Sequence, residues 1–123
     1  MLVVEDDPQL RELYWTELTM AGYAVVLVSD GITALQHIDV ERPDVIVLDW
    51  GLPRLSGADL QRELAAHPET RGIPIVLVTG LASEKSIDPA DFWCVIRKPI
   101  DPAELVKRVR ECIPPSRGLF SSR

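Results

Sequence analysis

The sequence predicts an α/β fold in which five parallel strands form an open, doubly wound sheet with helices on both faces. Short apolar, β-branched runs recur along the 123 residues, and amphipathic segments separate them. The runs do not alternate apolar with polar residues, which is typical of strands buried on both faces in a parallel sheet. Right-handed crossovers between such strands lead to a doubly wound architecture.

The five predicted strands are the apolar runs themselves. They lie at residues 2–4, 24–28, 45–48, 73–78 and 92–96. A helical pattern separates each strand from the next except in the connection between Thr79 and Phe92. This connection has few apolar residues and contains Pro89, so we expect a short or irregular fourth helix there.

Apolar spacing and capping residues predict the other helices. The first, at residues 8–22, starts with Asp7 as its N-cap and Pro8 in its first turn, and Gly22 ends it. Its expected inward face comprises Leu10, Leu13, Tyr14, Leu18 and Ala21. The remaining helices are expected at residues 31–39, after a Ser56 cap, and after the pair Asp101-Pro102.

Composition and charge limit the classes of function. The chain has 13 lysines and arginines against 19 aspartates and glutamates, a formal net charge of -6. Nucleic acid as a direct partner is therefore disfavoured, because phosphate binding relies on clustered lysine and arginine. The apolar runs are too short for a membrane span and no signal-peptide pattern is present, so we expect a cytoplasmic setting without membrane association.

The length suits one compact domain. We expect this domain at residues 1–113 and a disordered tail at residues 114–123. Cys94 and Cys112 form neither a CxxC pair nor a metal-ligand spacing, so they are expected to be small core residues.

Polar side chains follow four of the predicted strands. Glu5 and Asp6 come after the first strand and Asp49 after the third. Thr79 follows the fourth strand, and Lys98 follows the fifth. Ligands of open α/β sheets bind outside the carboxyl ends of the strands, where the strand order reverses. In a flavodoxin-like order, 2-1-3-4-5, the first and third strands are neighbours, and their carboxylates meet.

Clustered carboxylates at such an edge predict a cation and a specific chemistry. Like charges raise one another's pKa unless a cation joins them. Hard oxygen ligands suit Mg²⁺, which binds one or two carboxylates together with waters and phosphate oxygens. A carboxylate beside that metal can attack phosphorus, and an ammonium group and a hydroxyl can stabilise the charge of the transferred group. The residue types therefore indicate phosphoryl transfer to a carboxylate.

The motifs VVEDDP, VIVLDWGLPRLSG, VTG and KP, in this order at strand ends, resemble a response-regulator receiver domain of bacterial two-component systems. The resemblance implies that Asp49 is the phosphoacceptor. It also implies that Glu5, Asp6, Asp49 and the backbone carbonyl of Gly51 bind Mg²⁺, with Asp6 as a direct ligand.

The resemblance also assigns residues that respond to phosphorylation. Thr79 matches the switch hydroxyl and Lys98 the lysine that pairs with the phosphoryl group, with a cis peptide before Pro99. One position departs from the pattern. Receiver domains usually have an aromatic residue or histidine three residues before the lysine, where this chain has Val95.

The implied function is a phosphorelay receiver. A histidine kinase or phosphotransfer domain would supply the phosphoryl group, and an unidentified downstream protein would recognise the phosphorylated state. The chain would be no enzyme beyond its own phosphorylation and dephosphorylation, and a weak dimer remains open.

Three alternatives accompany this interpretation. The first is a receiver-like interaction scaffold with an impaired switch, which Val95 and the short fourth helix favour. The second is a Mg²⁺-dependent phosphatase, which would typically have a second aspartate at the position of Gly51. The third is a flavin-binding module, which would need a Ser/Thr-Gly-rich loop after the first strand.

Overall fold

The protein, described here by a computed structural model over residues 1–52, 54–80 and 87–113, is built around one parallel sheet. The strand order is β2-β1-β3-β4-β5, which confirms the predicted flavodoxin-like fold. The strands are β1 (Leu2–Val4), β2 (Val26–Val28), β3 (Ile46–Asp49), β4 (Ile75–Thr79) and β5 (Cys94–Arg97). β1 coincides with the apolar run that predicts it, and each of the other four strands begins one or two residues later than its run.

The described helices begin where capping residues predict. They are α1 (Pro8–Met20), α2 (Gly31–Val40), α3 (Gly57–Ala66) and α4 (Pro102–Cys112), with a 3-10 turn at Pro89–Asp91. The side chains of four N-cap residues accept first-turn backbone N–H groups: Asp7, Asp30, Ser56 and Asp101. Gly22 follows α1 with a φ of 104°, as expected for a glycine that ends a helix.

Two predictions fall on parts of the chain outside the described residues. Most of the predicted irregular fourth helix lies at residues 81–86, and only the 3-10 turn that follows can be compared with it. The predicted disordered tail occupies residues 114–123, so it stays a prediction.

The sheet separates two apolar layers. Leu2 and Val4 of β1 pack in one layer, with core residues of α2 and α3. Val3 points to the opposite layer, where residues of α1 and α4 cover the sheet. Burial on both faces explains why the strands show no apolar–polar alternation.

One predicted core position is wrong. Leu13 is 47% exposed, although Tyr14 and Leu18 of the same helix are buried. Leu13 lies at the margin of the apolar stripe, and α1 contacts its neighbours over a narrower face than the spacing of apolar residues suggests. The two cysteines are free and half-buried. Cys94 packs against the α1–α4 layer, but neither cysteine is the fully buried core residue that the sequence predicts. In the described part of the chain, no helix has the length and apolar content of a membrane span.

Candidate metal and phosphoryl site

The ends of β1 and β3 bring two acidic residues to the same edge of the sheet. Val4 pairs with Leu48 in the parallel ladder between these strands. The residues that follow this pair are Glu5 and Asp49, so their side chains emerge side by side. A buried strand therefore ends on a carboxylate, because that end is the edge where the sheet opens to solvent.

Three carboxylates form a cluster at this edge. Oxygens of Glu5, Asp6 and Asp49 lie within 4.8 Å of one another. Glu5 is only 2% exposed, whereas Asp6 is exposed and Asp49 is intermediate. A set of carboxylate oxygens that is buried on one side and open on the other fits Mg²⁺, which retains several waters.

Lys98 supplies the positive charge of the cluster. Its Nζ lies 3.5 Å from Oε1 of Glu5 and 3.4 Å from Oδ2 of Asp49. The backbone N–H of Lys98 donates to the carbonyl of Thr79 at 2.7 Å, which extends the contact between β4 and β5 to the site. The peptide bond to Pro99 is cis, as predicted.

Burial dominates the electrostatics of Glu5. The pKa of this carboxyl is raised from 4.5 to about 7, chiefly by burial and in the same direction by the nearby Asp49 charge. The backbone N–H of Asp7, which donates to Oε2 of Glu5 at 3.1 Å, and the Lys98 charge oppose this effect. In the metal-free protein, Glu5 therefore binds a proton more readily than an exposed glutamate does.

The remaining predicted site residues flank the cluster. Gly51 is exposed, and its backbone N–H donates to Oδ1 of Asp49 at 3.3 Å. Thr79 is 1% exposed and ends β4, one residue beyond the partner of Asp49 in the ladder. Its hydroxyl proton is directed at the carbonyl of Gly80, with an Oγ1–O distance of 3.1 Å.

Two contributions to the site were not predicted from sequence. The guanidinium of Arg11 donates to the carbonyls of Glu5 and Asp6, both at 3.1 Å, and so fixes the acidic segment from α1. The indole of Trp50, directly after Asp49, meets Phe92 edge to face with ring centroids 5.7 Å apart. A helical spacing places Arg11 one turn after Asp7, but no local pattern pairs Trp50 with Phe92.

A 2-1-3-4-5 parallel sheet with clustered acids and a lysine at its carboxyl edge defines the class of two-component receiver domains. The chain belongs to the family of response regulator receiver domains, which it matches over residues 1–110.

Curated relatives include the DNA-binding response regulator MtrA of Mycolicibacterium smegmatis, 36% identical over 115 residues, or 89% of this chain and 48% of that protein. The phosphate regulon transcriptional regulatory protein PhoB of Pseudomonas aeruginosa is 34% identical over 116 residues, or 89% of this chain and 49% of that protein. The chain thus spans about half the length of these curated relatives.

Solved structures of similar fold include the receiver domain of the sensor histidine kinase PA1611 from Pseudomonas aeruginosa. It has a TM-score of 0.79 and 32% identity over 93% of this chain and 96% of that one. A magnesium ion is coordinated in the active-site cleft of that structure. The chemotaxis response regulator CheY4 of Vibrio cholerae has a TM-score of 0.80 and 26% identity over 91% of this chain and 96% of that one.

Proposed function

We propose that this receiver domain accepts a phosphoryl group on Asp49 in the presence of Mg²⁺. The observation that supports the proposal is the arrangement around that residue. Its carboxylate lies among those of Glu5 and Asp6, and the ammonium of Lys98 is 3.4 Å from its Oδ2. A partly buried carboxylate at the open edge of a sheet, with a cation on one side and metal-ligating oxygens on the other, is suited to attack phosphorus.

In the proposed reaction, a carboxylate oxygen of Asp49 forms a bond to the phosphorus of a phosphohistidine. The bond between that phosphorus and the imidazole nitrogen breaks, and the electron pair leaves with the donor histidine. The product is an acyl phosphate on Asp49. Mg²⁺ bound by Glu5, Asp6, Asp49 and the Gly51 carbonyl would supply positive charge that offsets the carboxylates and the transferred oxygens.

Lys98 and Thr79 have complementary parts in this proposal. Lys98 exchanges its contact with the Asp49 carboxylate for one with a phosphoryl oxygen. Thr79 must release the Gly80 carbonyl before its hydroxyl can donate to the phosphoryl group. Its displacement would move the end of β4 and thereby alter the surface that a downstream protein recognises.

The partners follow from this chemistry. A histidine kinase or phosphotransfer domain is the proposed donor, and a downstream protein or a second copy of the domain is the proposed reader. The net charge of -6 disfavours nucleic acid as a direct ligand of these residues.

Acetyl phosphate with Mg²⁺ tests the proposed acceptor. We expect intact-mass spectrometry to detect one added phosphoryl group in the wild type and none in Asp49→Asn. Asp39→Asn, which changes an exposed aspartate of α2, is the matched control and should label as the wild type does. Equal labelling of Asp49→Asn and the wild type would contradict the assignment.

Val95 supports a second candidate function, a receiver-like scaffold whose surface does not respond to phosphorylation. This half-buried valine packs against the α2–α3 layer and occupies the position of the usual aromatic residue. Amide spectra with and without a beryllofluoride phosphate mimic separate the two candidates. Shifts confined to the residues around Asp49 favour the scaffold, and shifts that extend along β4 and β5 favour the switch.

A further inference from the structure

An ion pair connects the segment after Asp49 to the start of α2. Nη2 of Arg54 lies 3.4 Å from Oδ1 of Asp30. The Asp30 side chain is 9% exposed, whereas that of Arg54 is 56% exposed. Asp30 also accepts the backbone N–H of Thr33 at 2.8 Å, and this hydrogen bond, aided by the Arg54 charge, holds the pKa of Asp30 below its ordinary value. The ion pair therefore joins Asp30, the negatively charged N-cap of α2, to the segment that contains Arg54.

The backbone of Arg54 needs such support. Its φ is 66°, and it is the one non-glycine residue with a positive φ within residues 1–52, 54–80 and 87–113. Side chains other than glycine, asparagine and aspartate rarely adopt this conformation, which persists where surrounding contacts enforce it. The ion pair with Asp30 is such a contact.

Close packing reinforces this anchor. A Cβ placed on Gly31 would lie 2.4 Å from the carbonyl oxygen of Leu55, so the segment approaches α2 as closely as a glycine permits. At the other end, the backbone N–H of Gly57 donates to the carbonyl of Trp50 at 3.2 Å. The segment is thus closed on itself at the start of α3 and attached to the start of α2.

Gly51, in contrast, has little packing of its own. The space where its side chain would lie is open, and its backbone N–H donates to Asp49. Among the described residues, the contacts next to Gly51 are its hydrogen bond to Asp49 and the hydrogen bond between Gly57 and Trp50, and the Arg54–Asp30 ion pair lies three positions further along the chain.

We propose that Arg54 is a positioning residue for Mg²⁺ binding: its ion pair with buried Asp30 holds the segment after Asp49 so that the Gly51 backbone faces the cation. This inference rests on the proposed function, because it assumes that the cluster of Glu5, Asp6 and Asp49 binds the metal. Arg54 itself does not touch the metal or the phosphoryl group.

The direction of the change in Mg²⁺ affinity distinguishes a positioning role of Arg54 from an effect of its charge alone. Removing an arginine makes the protein more negative, and this change alone would strengthen binding of a divalent cation. Loss of the anchor should weaken binding instead. We expect calorimetric titration with Mg²⁺ alone to give about two- to fivefold weaker binding for Arg54→Ala, as for loss of one exposed ion pair.

Three further variants sharpen the test. Arg54→Gly removes the side chain but suits the positive φ, so it should fold well and still bind Mg²⁺ more weakly. Arg54→Lys retains the charge opposite Asp30 and should restore most of the affinity. Arg108→Ala removes the same charge from α4, where Arg108 pairs with Glu111 at 4.0 Å, and should bind Mg²⁺ as well as the wild type or better.

Thermal unfolding of each variant shows whether it is folded during the titration. Wild-type affinity in Arg54→Gly and Arg54→Ala, with or without a lower Tm, would overturn the positioning role, because a purely structural role alters Tm and not the affinity. A wild-type protein that binds no Mg²⁺ would overturn the metal site of the proposed function as well, so the two failures are distinguishable.

Discussion

Ion pairs connect the side chains at the ends of β1 and β3, whereas apolar contacts stabilise the region beside β5. In the charged region, Lys98 lies within 3.5 Å of carboxylate oxygens of Glu5 and Asp49. In the apolar region, Val95 and Phe92 pack against the α2–α3 layer, and Phe92 meets Trp50 edge to face. The charged region contains the three acids and the lysine of the receiver pattern, and the apolar region contains Val95, where the chain departs from that pattern.

This contrast indicates that the two regions have different functional requirements. Phosphoryl transfer requires particular charges at particular positions, because the transferred group and its metal have fixed charges and sizes. A surface that transmits a change to a partner needs only to fit that partner. We therefore expect substitutions in the charged region to affect phosphorylation and those in the apolar region to affect stability and transmission.

Removing the cation of the charged region should have the largest effect. Lys98→Ala leaves Glu5 and Asp49 without their counter-charge and the phosphoryl oxygens without a partner. We expect the rate of phosphorylation by acetyl phosphate to fall on the order of 100-fold, as for loss of one electrostatic stabiliser in an active site. Lys107→Ala, on an exposed position of α4, is the control and should retain the wild-type rate. A loss of less than about threefold for Lys98→Ala would contradict its role.

The pH dependence of stability should be the next largest effect. The pKa of Glu5 is about 7 in the folded metal-free protein and 4.5 in its ordinary state. The folded protein therefore binds this proton more tightly, and the resulting stabilisation is complete below pH 4.5 and lost as the pH rises through 7. We expect this group to lower the free energy of unfolding by about 1–3 kcal/mol between pH 5 and pH 8.

Urea unfolding in the presence of a chelator measures this effect. Other groups titrate over the same range, so the quantity to compare is the difference between the wild type and Glu5→Gln at each pH. As the pH rises, the free energy of unfolding of Glu5→Gln should increase relative to that of the wild type. Glu111→Gln, which changes an exposed glutamate, should show the same pH dependence as the wild type. Parallel pH profiles for the wild type and Glu5→Gln would show that the carboxyl is not perturbed.

The smallest effect is expected in the apolar region. Phe92→Leu retains most of the apolar volume but loses the edge-to-face contact with Trp50. Such aromatic pairs contribute about 0.5–1.5 kcal/mol beyond their buried area. A double-mutant cycle with Trp50→Leu, measured by urea unfolding, should give a coupling energy in this range. A coupling near zero would mean that the two rings are neighbours without a specific interaction.

Much of the fold could be predicted from sequence because its signals are local. Strands buried on both faces are continuous apolar runs, and Asp7, Ser56 and Asp101 mark helix starts whatever the tertiary structure. The candidate site could be predicted from the sequence for the same reason. Glu5 and Asp49 are recognisable as residues that directly follow or end strands, and parallel strands end at a common edge.

The features that sequence did not reveal depend on how distant segments meet. The positive φ of Arg54 occurs together with an ion pair to Asp30, which lies more than twenty residues away in the chain. Leu13 has the spacing of a core residue, but the width of the α1 contact decides its exposure. Neither property can be derived from residues within one or two turns of the position concerned.

The sheet order has a consequence for how the protein is made. Of the five strands of this sheet, β1 is synthesised first, yet it lies between β2 and β3 and can pair only after these later strands have been made. The nascent chain exposes Glu5, Asp6 and then Asp49 well before Lys98 is synthesised. Until the lysine after β5 is synthesised, the acidic edge lacks the ammonium group that pairs with Glu5 and Asp49 in the folded protein.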